Sequence, residues 1–200
     1  MIDVLLPTQG KRMNGLKFQI QAILNNSYKD IHLWVLIDCD NAHDIEDEID
    51  VMGYYPNERF TSIVVPEEWQ GNWGHRPIKY AIEELPLEGD WIITSGDDDV
   101  ITEWALDELI KQSDGVNMVV GICLPVSRML GQTDRVLGEH MGLGQITGSC
   151  CLYRSSSVKE VGYDDSTYEA DWKLIEKMMR FPYRQIKSVL FVMPQSFEGV

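Results

Sequence analysis

Residues 89–100 read Gly-Asp-Trp-Ile-Ile-Thr-Ser-Gly-Asp-Asp-Asp-Val, and this stretch decides the fold. The apolar run at 91–95 predicts a buried strand, and three aspartates follow directly where that strand ends. In parallel α/β sheets, ligands bind outside the carboxyl ends of the strands. Three adjacent carboxylates repel one another unless a positive charge lies beside them. The stretch therefore predicts an α/β sheet with a candidate cation site at its edge.

The three aspartates have two interpretations. Asp97 and Asp99 are two positions apart, so in an extended chain they project to the same side and can share one hard cation. Alternatively, the carboxylates form a solvated acidic turn, or Asp99 caps a helix that begins near Thr102. The pattern taken alone favours neither interpretation.

The sequence on both sides of this stretch alternates between predicted strands and helices with short links. That order is typical of an α/β fold whose sheet is mostly parallel at its start. No repeat, low-complexity tract or linker interrupts the 200 residues, which predicts one domain. Strands are predicted at 2–6, 31–37, 61–65, 91–95, 117–124 and 148–153, and helices at 16–24, 44–50, 77–84, 103–111 and 168–180.

Charge and apolar content exclude several classes of partner. The 17 basic and 32 acidic residues give a formal net charge of −15, which repels nucleic-acid phosphates and anionic lipid headgroups. The longest apolar run, 31–37, is far shorter than the ~18 residues of a membrane-spanning helix. The first residues lack the basic start of a signal peptide, and the four cysteines contain no C-x-x-C pair. We therefore expect a cytoplasmic protein with no nucleic-acid partner and no transmembrane segment.

Two further carboxylates, Asp38 and Asp171, are candidate functional residues. Asp38 directly follows the second predicted strand, so it is expected in the same crevice as the three aspartates. A turn-forming role is the alternative, for which Asp40 is the better candidate. In the helix predicted at 168–180, Ser166 and Glu169 match a capping box. Asp171 has no such task and lies on the inward apolar stripe, although helix-dipole stabilisation is an alternative explanation for it.

With these motifs in order, the chain resembles the family-2 glycosyltransferases of the GT-A fold. Three segments at the start of the chain match. Residues 4–12 contain a strand ending in Pro-Thr, residues 22–30 contain a helix closing in Ser-Tyr, and residues 36–38 end a strand in Asp. Residues 89–100 resemble the strand leading into the family's D-x-D motif, and 148–154, 161–164 and 169–174 resemble its acceptor-side half. The resemblance implies a GT-A-like single domain, with a mostly parallel mixed sheet flanked by helices. Residues 1–100 would form the nucleotide-sugar-binding half and 101–200 the acceptor-binding half.

The resemblance also implies an activity. It is that of a metal-dependent inverting glycosyltransferase that uses Mn²⁺ or Mg²⁺. The donor would be a nucleotide-diphosphate sugar, with UDP the expected nucleotide, and the acceptor a glycan or another hydroxyl compound. Asp171 would be the catalytic base, Asp97 and Asp99 would bind the metal, and Asp38 would contact the nucleobase. Because Cys39 follows Asp38, Asp40 is a second candidate for that contact. The residues expected around the nucleotide sugar are Pro7, Thr8, Arg12, Asp38, Arg76, Lys79, Asp97 and Asp98.

Two other classes of function remain open. A sugar-phosphate nucleotidyltransferase would need a glycine-rich basic loop after the first strand, and residues 9–12 match that loop only thinly. A non-catalytic carbohydrate- or metal-binding relative would keep the fold without the reaction. The stretches 69–74 and 125–144 are expected to close over the donor. Trp73 or Trp172 could stack on a sugar, although core packing is the more common role of such tryptophans.

Overall fold

The computed structural model describes residues 1–51, 58–125 and 136–193. Its strands are β1 (Ile2–Thr8), β2 (Ile31–Ile37), β3 (Phe60–Val64), β4 (Trp91–Thr94), β5 (Val100–Ile101), β6 (Met118–Pro125), β7 (Cys151–Arg154) and β8 (Tyr183–Met193). Its helices are α1 (Met13–Leu24), α2 (Ala42–Val51), α3 (His75–Glu84), α4 (Ala105–Lys111), α5 (Ser155–Val161) and α6 (Ala170–Met178). Short 3₁₀ turns lie at Glu67–Trp69, Asn72–Gly74 and Gly148–Cys150.

The strands form one mixed sheet in the order β3-β2-β1-β4-β7-β6-β8-β5. The β3-β2-β1-β4 part is parallel throughout, and β7 then pairs antiparallel with β4. Strand β2 reads Ile-His-Leu-Trp-Val-Leu-Ile and is buried along almost its whole length, as expected for a strand covered on both faces. The α/β class and the mostly parallel mixed sheet predicted from the sequence are confirmed.

The parallel part of the sheet brings three chain segments to one edge. The amide of Asp38 donates to the carbonyl of Thr8 at 2.8 Å, and the amide of Ser95 donates to the carbonyl of Leu5 at 2.9 Å. The residues that follow β1, β2 and β4 therefore meet at the carboxyl edge. This is the edge where the sequence placed its candidate site.

The structure differs from the sequence prediction at several elements, among them β5 and α5, which were not predicted. Strand β8 was not predicted, because its first half is polar and exposed and gives no apolar run before Val189. The predicted strand at 148–153 is a 3₁₀ turn followed by the shorter β7. Half of the predicted loop at 125–144, residues 126–135, lies outside the described residues. No helix in the described ranges combines the length and apolar character needed to cross a membrane.

The predicted capping box is wrong. Helix α6 begins at Ala170, and Glu169 occupies the N-cap position without any side-chain capping bond. The Ser166 amide donates instead to Asp164 Oδ1 at 3.0 Å, because residues 164–166 form their own local turn. The helix is consequently shorter than predicted, and Asp171 lies in its first turn.

Candidate functional site

The three aspartates do not form an extended segment. Asp97 and Asp98 make a tight turn, so Asp97 and Asp99 diverge instead of projecting to the same side as predicted. Asp97 Oδ2 accepts a hydrogen bond from Thr8 Oγ1 at 2.7 Å. Asp99 Oδ2 accepts one from Ser149 Oγ at 2.5 Å. We call residues 96–99 the acidic turn.

Arg12 supplies the positive charge that the acidic turn requires. Its Nη1 atom lies 2.7 Å from Asp98 Oδ2 and 3.6 Å from Asp97 Oδ1. Half of the guanidinium side chain remains exposed, so it is available to a phosphate as well. Arg12 was predicted beside the nucleotide sugar, and the structure places it at the acidic turn.

Asp99 is the least compensated of the three carboxylates. The residue is only 5% exposed, and its Oδ1 atom has no hydrogen-bond partner. Burial raises the pKa of Asp99 to about 7, and burial also raises the pKa of Asp97. A buried carboxylate with an unpaired oxygen is costly unless a cation binds it. The donor set therefore fits a hard divalent cation.

The described part of the chain holds no preformed metal site. Within residues 1–51, 58–125 and 136–193, no three His, Cys, Asp or Glu side chains are grouped so that they could hold an ion. A cation bound at Asp99 would thus take its other ligands from water and from substrate oxygens, which is common for Mg²⁺.

A buried glutamine fixes the acidic turn to α1. Gln19 Nε2 donates to Ser95 Oγ at 2.6 Å, and the Ile101 amide donates to Gln19 Oε1 at 3.0 Å. These two bonds bracket the acidic turn on both sides. Gln19 was not singled out from the sequence, although a polar residue on the buried stripe of Leu16, Ile20 and Ile23 was an available signal.

A cavity of about 600 Å³ opens beside the acidic turn, and we call it the central cavity. Its lining includes Pro7, Arg12, Asp98, Asp99 and Asp171. Asp171 is half-buried at the start of α6. The structure thus brings the predicted metal-binding residue Asp99 and the predicted base Asp171 to one cavity, although Asp171 follows Asp99 by 72 positions in the sequence.

Asp171 is held by three donors. Its Oδ2 atom accepts hydrogen bonds from the Gly148 amide at 2.9 Å and from Thr147 Oγ1 at 3.3 Å. Its Oδ1 atom accepts one from the Tyr163 hydroxyl at 3.2 Å. The carboxylate is therefore oriented by side chains and backbone before any substrate binds.

Gly148 packs so closely on this carboxylate that a methyl group there would displace it. A Cβ atom at Gly148 would lie 2.9 Å from Asp171 Oδ1 and 2.6 Å from Thr94 Oγ1. We predict that Gly148→Ala lowers turnover by about 10²-fold, because a small misplacement of a reacting group has effects of that size. Nucleotide affinity should be unchanged, and both are read from steady-state kinetics and calorimetry.

Gly142→Ala is the matched control for this change. A Cβ atom at Gly142 meets only Gln145 Cγ, at an ordinary 3.6 Å. If Gly148→Ala were as active as Gly142→Ala, Asp171 would not need the position that the structure gives it.

Asp38 lines a different cavity from Asp99. This second cavity, of about 540 Å³, we call the outer cavity, and its lining includes Gln9, Lys11, Asp38, Asp40 and Gly71. Asp38 Oδ1 accepts a hydrogen bond from the Gly71 amide at 2.8 Å, whereas Oδ2 is buried without a partner. Burial raises the pKa of Asp38. The outer cavity therefore offers one free, buried acceptor to a ligand.

Arg76 and Lys79 are not among the residues that line the two cavities, although Arg76 Nη1 donates to the carbonyl of Gln70 at the outer cavity. Arg76 Nε is 3.5 Å from Asp165 Oδ2, and Lys79 Nζ is 3.1 Å from Asp165 Oδ1. Lys79 also lies 5.9 Å from the ring centroid of Trp69. In the structure both cations are engaged by the protein rather than directed to a ligand.

An unusual backbone segment places Trp73 at the surface. Residues 71–74 all have positive φ angles, of 91°, 54°, 54° and 86°, and two of them, Asn72 and Trp73, are not glycine. Such strain is retained where surrounding contacts impose it, and it concentrates at functional sites. Trp73 is 70% exposed and lies at the edge of the central cavity. The expectation that core packing explains this tryptophan is wrong for Trp73, whereas Trp172 does pack against the core.

The mixed sheet with its flanking helices has a GT-A-like fold. Solved structures of that fold superpose on nearly the whole chain. S. aureus TarS 1–349 matches with a TM-score of 0.72 at 12% identity, over 96% of this chain and 60% of its own. The complex of TarS 1–349 with UDP-GlcNAc gives 0.71 at 13% identity, over 100% of this chain and 59% of its own.

A second matching protein is the mannosyltransferase PcManGT from Pyrobaculum calidifontis, solved in complex with GDP-Man and Mn²⁺. It gives a TM-score of 0.74 at 13% identity, over 99% of this chain and 58% of its own. The chain thus spans about 60% of the length of these solved chains. No protein-family model and no curated protein matches the sequence.

Proposed function

We propose that this protein is a metal-dependent, inverting glycosyltransferase that moves a sugar from a UDP-sugar to a hydroxyl of a carbohydrate acceptor. One observation carries the proposal: two adjacent cavities at one sheet edge each contain a buried aspartate with an unpaired oxygen, Asp38 and Asp99. A nucleotide sugar offers an N–H donor at one end and a cation-bound diphosphate in its middle. Those two groups match the two unpaired oxygens.

The cation is proposed as Mn²⁺ or Mg²⁺ with Asp99 as its ligand. Because Thr8 and Arg12 engage Asp97 and Asp98, water and the diphosphate oxygens of the donor would supply the other ligands. A divalent ion held there neutralises the charge that develops on a departing diphosphate. Arg12 beside the turn, with Pro7 and Thr8 at the end of β1, would contact the same diphosphate. Arg76 and Lys79 would reach it only by leaving Asp165, so we assign them a secondary part.

The outer cavity is proposed to bind the nucleobase through Asp38. Because the Gly71 amide occupies Oδ1, only Oδ2 remains free. Uracil presents one N–H donor, at N3, whereas guanine presents two adjacent donors that a carboxylate binds best with both oxygens. A single free oxygen therefore supports uridine over guanosine, and Asp40 lines the same cavity as the second candidate.

We predict that Asp38→Ala flattens the preference among uridine, guanosine and adenosine diphosphates. A buried acceptor discriminates because a wrong base leaves it unpaired, and the substitution removes that effect. Calorimetric titration of the three nucleotides with Mn²⁺ measures the change, with Asp40→Ala as the matched control. An unchanged preference in Asp38→Ala, with a loss in Asp40→Ala, would transfer the role to Asp40.

Asp171 is proposed as the general base. As the acceptor oxygen attacks the anomeric carbon, its proton passes to the Asp171 carboxylate, and the bond between that carbon and the phosphate oxygen breaks. Asp171 lines the same central cavity as Asp98 and Asp99 of the acidic turn that would hold the diphosphate. One base opposite the leaving group implies inversion at the anomeric carbon. In this proposal residues 1–100 bind the donor and 101–200 supply the acceptor side.

The acceptor is proposed to be a sugar because two exposed aromatic rings flank the cavity beside Asp171. Trp73 and Tyr168 are each 70% exposed, and their ring centroids lie 5.3 Å apart in an edge-to-face arrangement. Exposed rings of this kind bind the apolar face of a pyranose while the sugar hydroxyls stay in water. The strained backbone at Trp73 keeps one of these rings in place.

Product analysis tests the proposed function against its two rivals. The protein is incubated with UDP-glucose, UDP-galactose, UDP-GlcNAc and GDP-mannose, each with Mn²⁺ or with EDTA, and with an oligosaccharide mixture. We expect Mn²⁺-dependent release of UDP. Pyrophosphate release from UTP and a sugar 1-phosphate would identify a nucleotidyltransferase, and binding without release would identify a non-catalytic relative.

The four cysteines are free thiols, which supports the expected cytoplasmic location.

A further inference from the structure

Three side chains form a continuous hydrogen-bonded row behind the proposed base. Tyr163 OH lies 3.2 Å from Asp171 Oδ1 and 3.0 Å from His75 Nδ1. His75 Nδ1 is itself 3.8 Å from Asp171 Oδ1, and His75 Nε2 is 3.1 Å from the carbonyl of Tyr168. His75 and Tyr163 are buried, and Asp171 alone of the three is half-exposed to the cavity.

The contact with Tyr168 fixes the proton on the imidazole. A backbone carbonyl only accepts hydrogen bonds, so Nε2 of His75 must carry a proton. In the neutral ring Nδ1 is then an acceptor. The Tyr163 hydroxyl has one proton, and when His75 is neutral and Asp171 is ionised it shares that proton between the two acceptors within reach, His75 Nδ1 at 3.0 Å and Asp171 Oδ1 at 3.2 Å.

The row accommodates one additional proton without moving any heavy atom. If the proton is on Asp171, its carboxyl donates to the Tyr163 oxygen while the Tyr163 hydroxyl donates to His75. If the proton is on His75, Nδ1 donates to the Tyr163 oxygen while the Tyr163 hydroxyl donates to Asp171. The two arrangements differ only by a concerted shift of two protons. Tyr163 itself stays neutral in both, since burial raises its pKa well above the ordinary value.

We propose that Tyr163 and His75 are positioning residues that carry the abstracted proton away from Asp171, an inference that rests on the proposed function of Asp171 as the base. The proton of the acceptor hydroxyl passes to Asp171. That carboxyl then gives a proton to the Tyr163 oxygen as the Tyr163 hydroxyl gives its own to His75 Nδ1. The result is an ionised Asp171 and an imidazolium at His75, so Asp171 does not return the proton to the new glycosidic oxygen.

The first test is spectroscopic and does not depend on activity. We expect ¹⁵N spectra of histidine-labelled protein at pH 8 to show His75, assigned with His75→Gln, protonated at Nε2 and with a hydrogen-bonded Nδ1. Tyr163→Phe should shift the Nδ1 resonance towards that of an unbonded ring nitrogen. A resting proton on Nδ1, or an Nδ1 resonance that Tyr163→Phe leaves in place, would overturn the proposal even if the protein transfers sugar.

The second test is kinetic. We expect Tyr163→Phe and His75→Gln each to lower kcat by roughly 10- to 100-fold, the usual effect of removing a group that supports a reacting one. The KM for the donor should be unchanged, and the double variant should be no slower than either single variant, because both interrupt one row. Tyr28→Phe is the matched control, since it removes a phenol that contacts an aspartate, Asp30, outside both cavities.

The outcomes separate this inference from the proposed function. If Asp171→Asn is as active as the wild type while the ¹⁵N result holds, the proposed function fails and the relay has no base to serve. Suppose that Asp171→Asn is inactive and that the losses of kcat in Tyr163→Phe and His75→Gln add in the double variant, or that the two substitutions raise KM instead. The relay is then wrong and the base assignment stands. Thermal midpoints of Tyr163→Phe and His75→Gln within a few degrees of the wild-type value exclude misfolding as the cause of their lower kcat.

Discussion

Asp171→Asn is expected to lower turnover by roughly 10²- to 10⁴-fold, the usual contribution of a positioned acid–base group. Asparagine keeps the size of the side chain and can still accept hydrogen bonds from Gly148 and Thr147, but it cannot take a proton. Nucleotide affinity and the thermal midpoint should therefore change little. The measurement is the rate of acceptor-dependent UDP release, with donor hydrolysis as the substitute where no acceptor is active.

Two other carboxylates of the same helix region serve as comparisons. Glu176→Gln changes an exposed residue of α6 and should leave turnover unchanged. Glu169→Gln should keep most activity, because Glu169 makes no capping bond and is not among the residues that hold Asp171. An inactive Glu169→Gln with an active Asp171→Asn would assign the base to Glu169.

Asp99→Asn is expected to abolish the Mn²⁺ enhancement of UDP binding and to raise the metal-free thermal midpoint at pH 8. The folded-state pKa of about 7 lies above the ordinary 3.8, so over this interval the folded state holds a proton that the unfolded chain has lost. Asp99 therefore lowers stability increasingly as pH rises from about 4 through about 7. Asparagine carries no charge and removes that penalty.

Scanning calorimetry at pH 5 and pH 8, with EDTA or Mn²⁺, checks the sign of this effect. In EDTA the advantage of Asp99→Asn should be present at pH 8 and small at pH 5, and Mn²⁺ should stabilise only the wild type. Asp114→Asn, which neutralises an exposed carboxylate away from the cavities, is the control. An Asp99→Asn protein that is less stable than wild type at pH 8 in EDTA would contradict the assignment of Asp99.

The parallel half of the fold was predicted well from the sequence because its strands are continuous apolar runs. Residues 31–37 were predicted as a strand and form β2 with the same bounds. The site edge followed from one rule, that ligands bind where parallel strands end, and the structure places Arg12, Asp38 and Asp99 at that edge. Local patterns were sufficient here because each of these three residues comes shortly after the end of a parallel strand in the sequence.

Features that depend on distant partners could not be predicted from the sequence. Strand β8 is recognisable only from its pairing with β6, since its first residues are polar and exposed. The supports of Asp171 come from Gly148, Tyr163 and, behind them, His75, and no local motif links these positions. The tight turn at Asp97 and Asp98 likewise replaced the extended geometry that the sequence suggested, because Thr8 and Arg12, at and just after the end of the neighbouring strand β1, hold it.

The separation of the two cavities was also not predicted. The sequence placed Asp38 in one crevice with the three aspartates, but the structure gives Asp38 its own cavity, where the Gly71 amide fixes one of its oxygens. This arrangement strengthens the proposed division of labour. In that proposal, Asp38 binds a single N–H group of the base and Asp99 binds a cation beside the diphosphate.

Isothermal titration of the wild-type protein with UDP, in Mn²⁺ and in EDTA, tests the central claim most directly. The geometry of the acidic turn predicts one binding site whose affinity falls at least 10-fold when the metal is removed, since Asp99 and the diphosphate would then repel each other. Equal affinity for UDP in Mn²⁺ and in EDTA, or no binding of UDP in either, would contradict it.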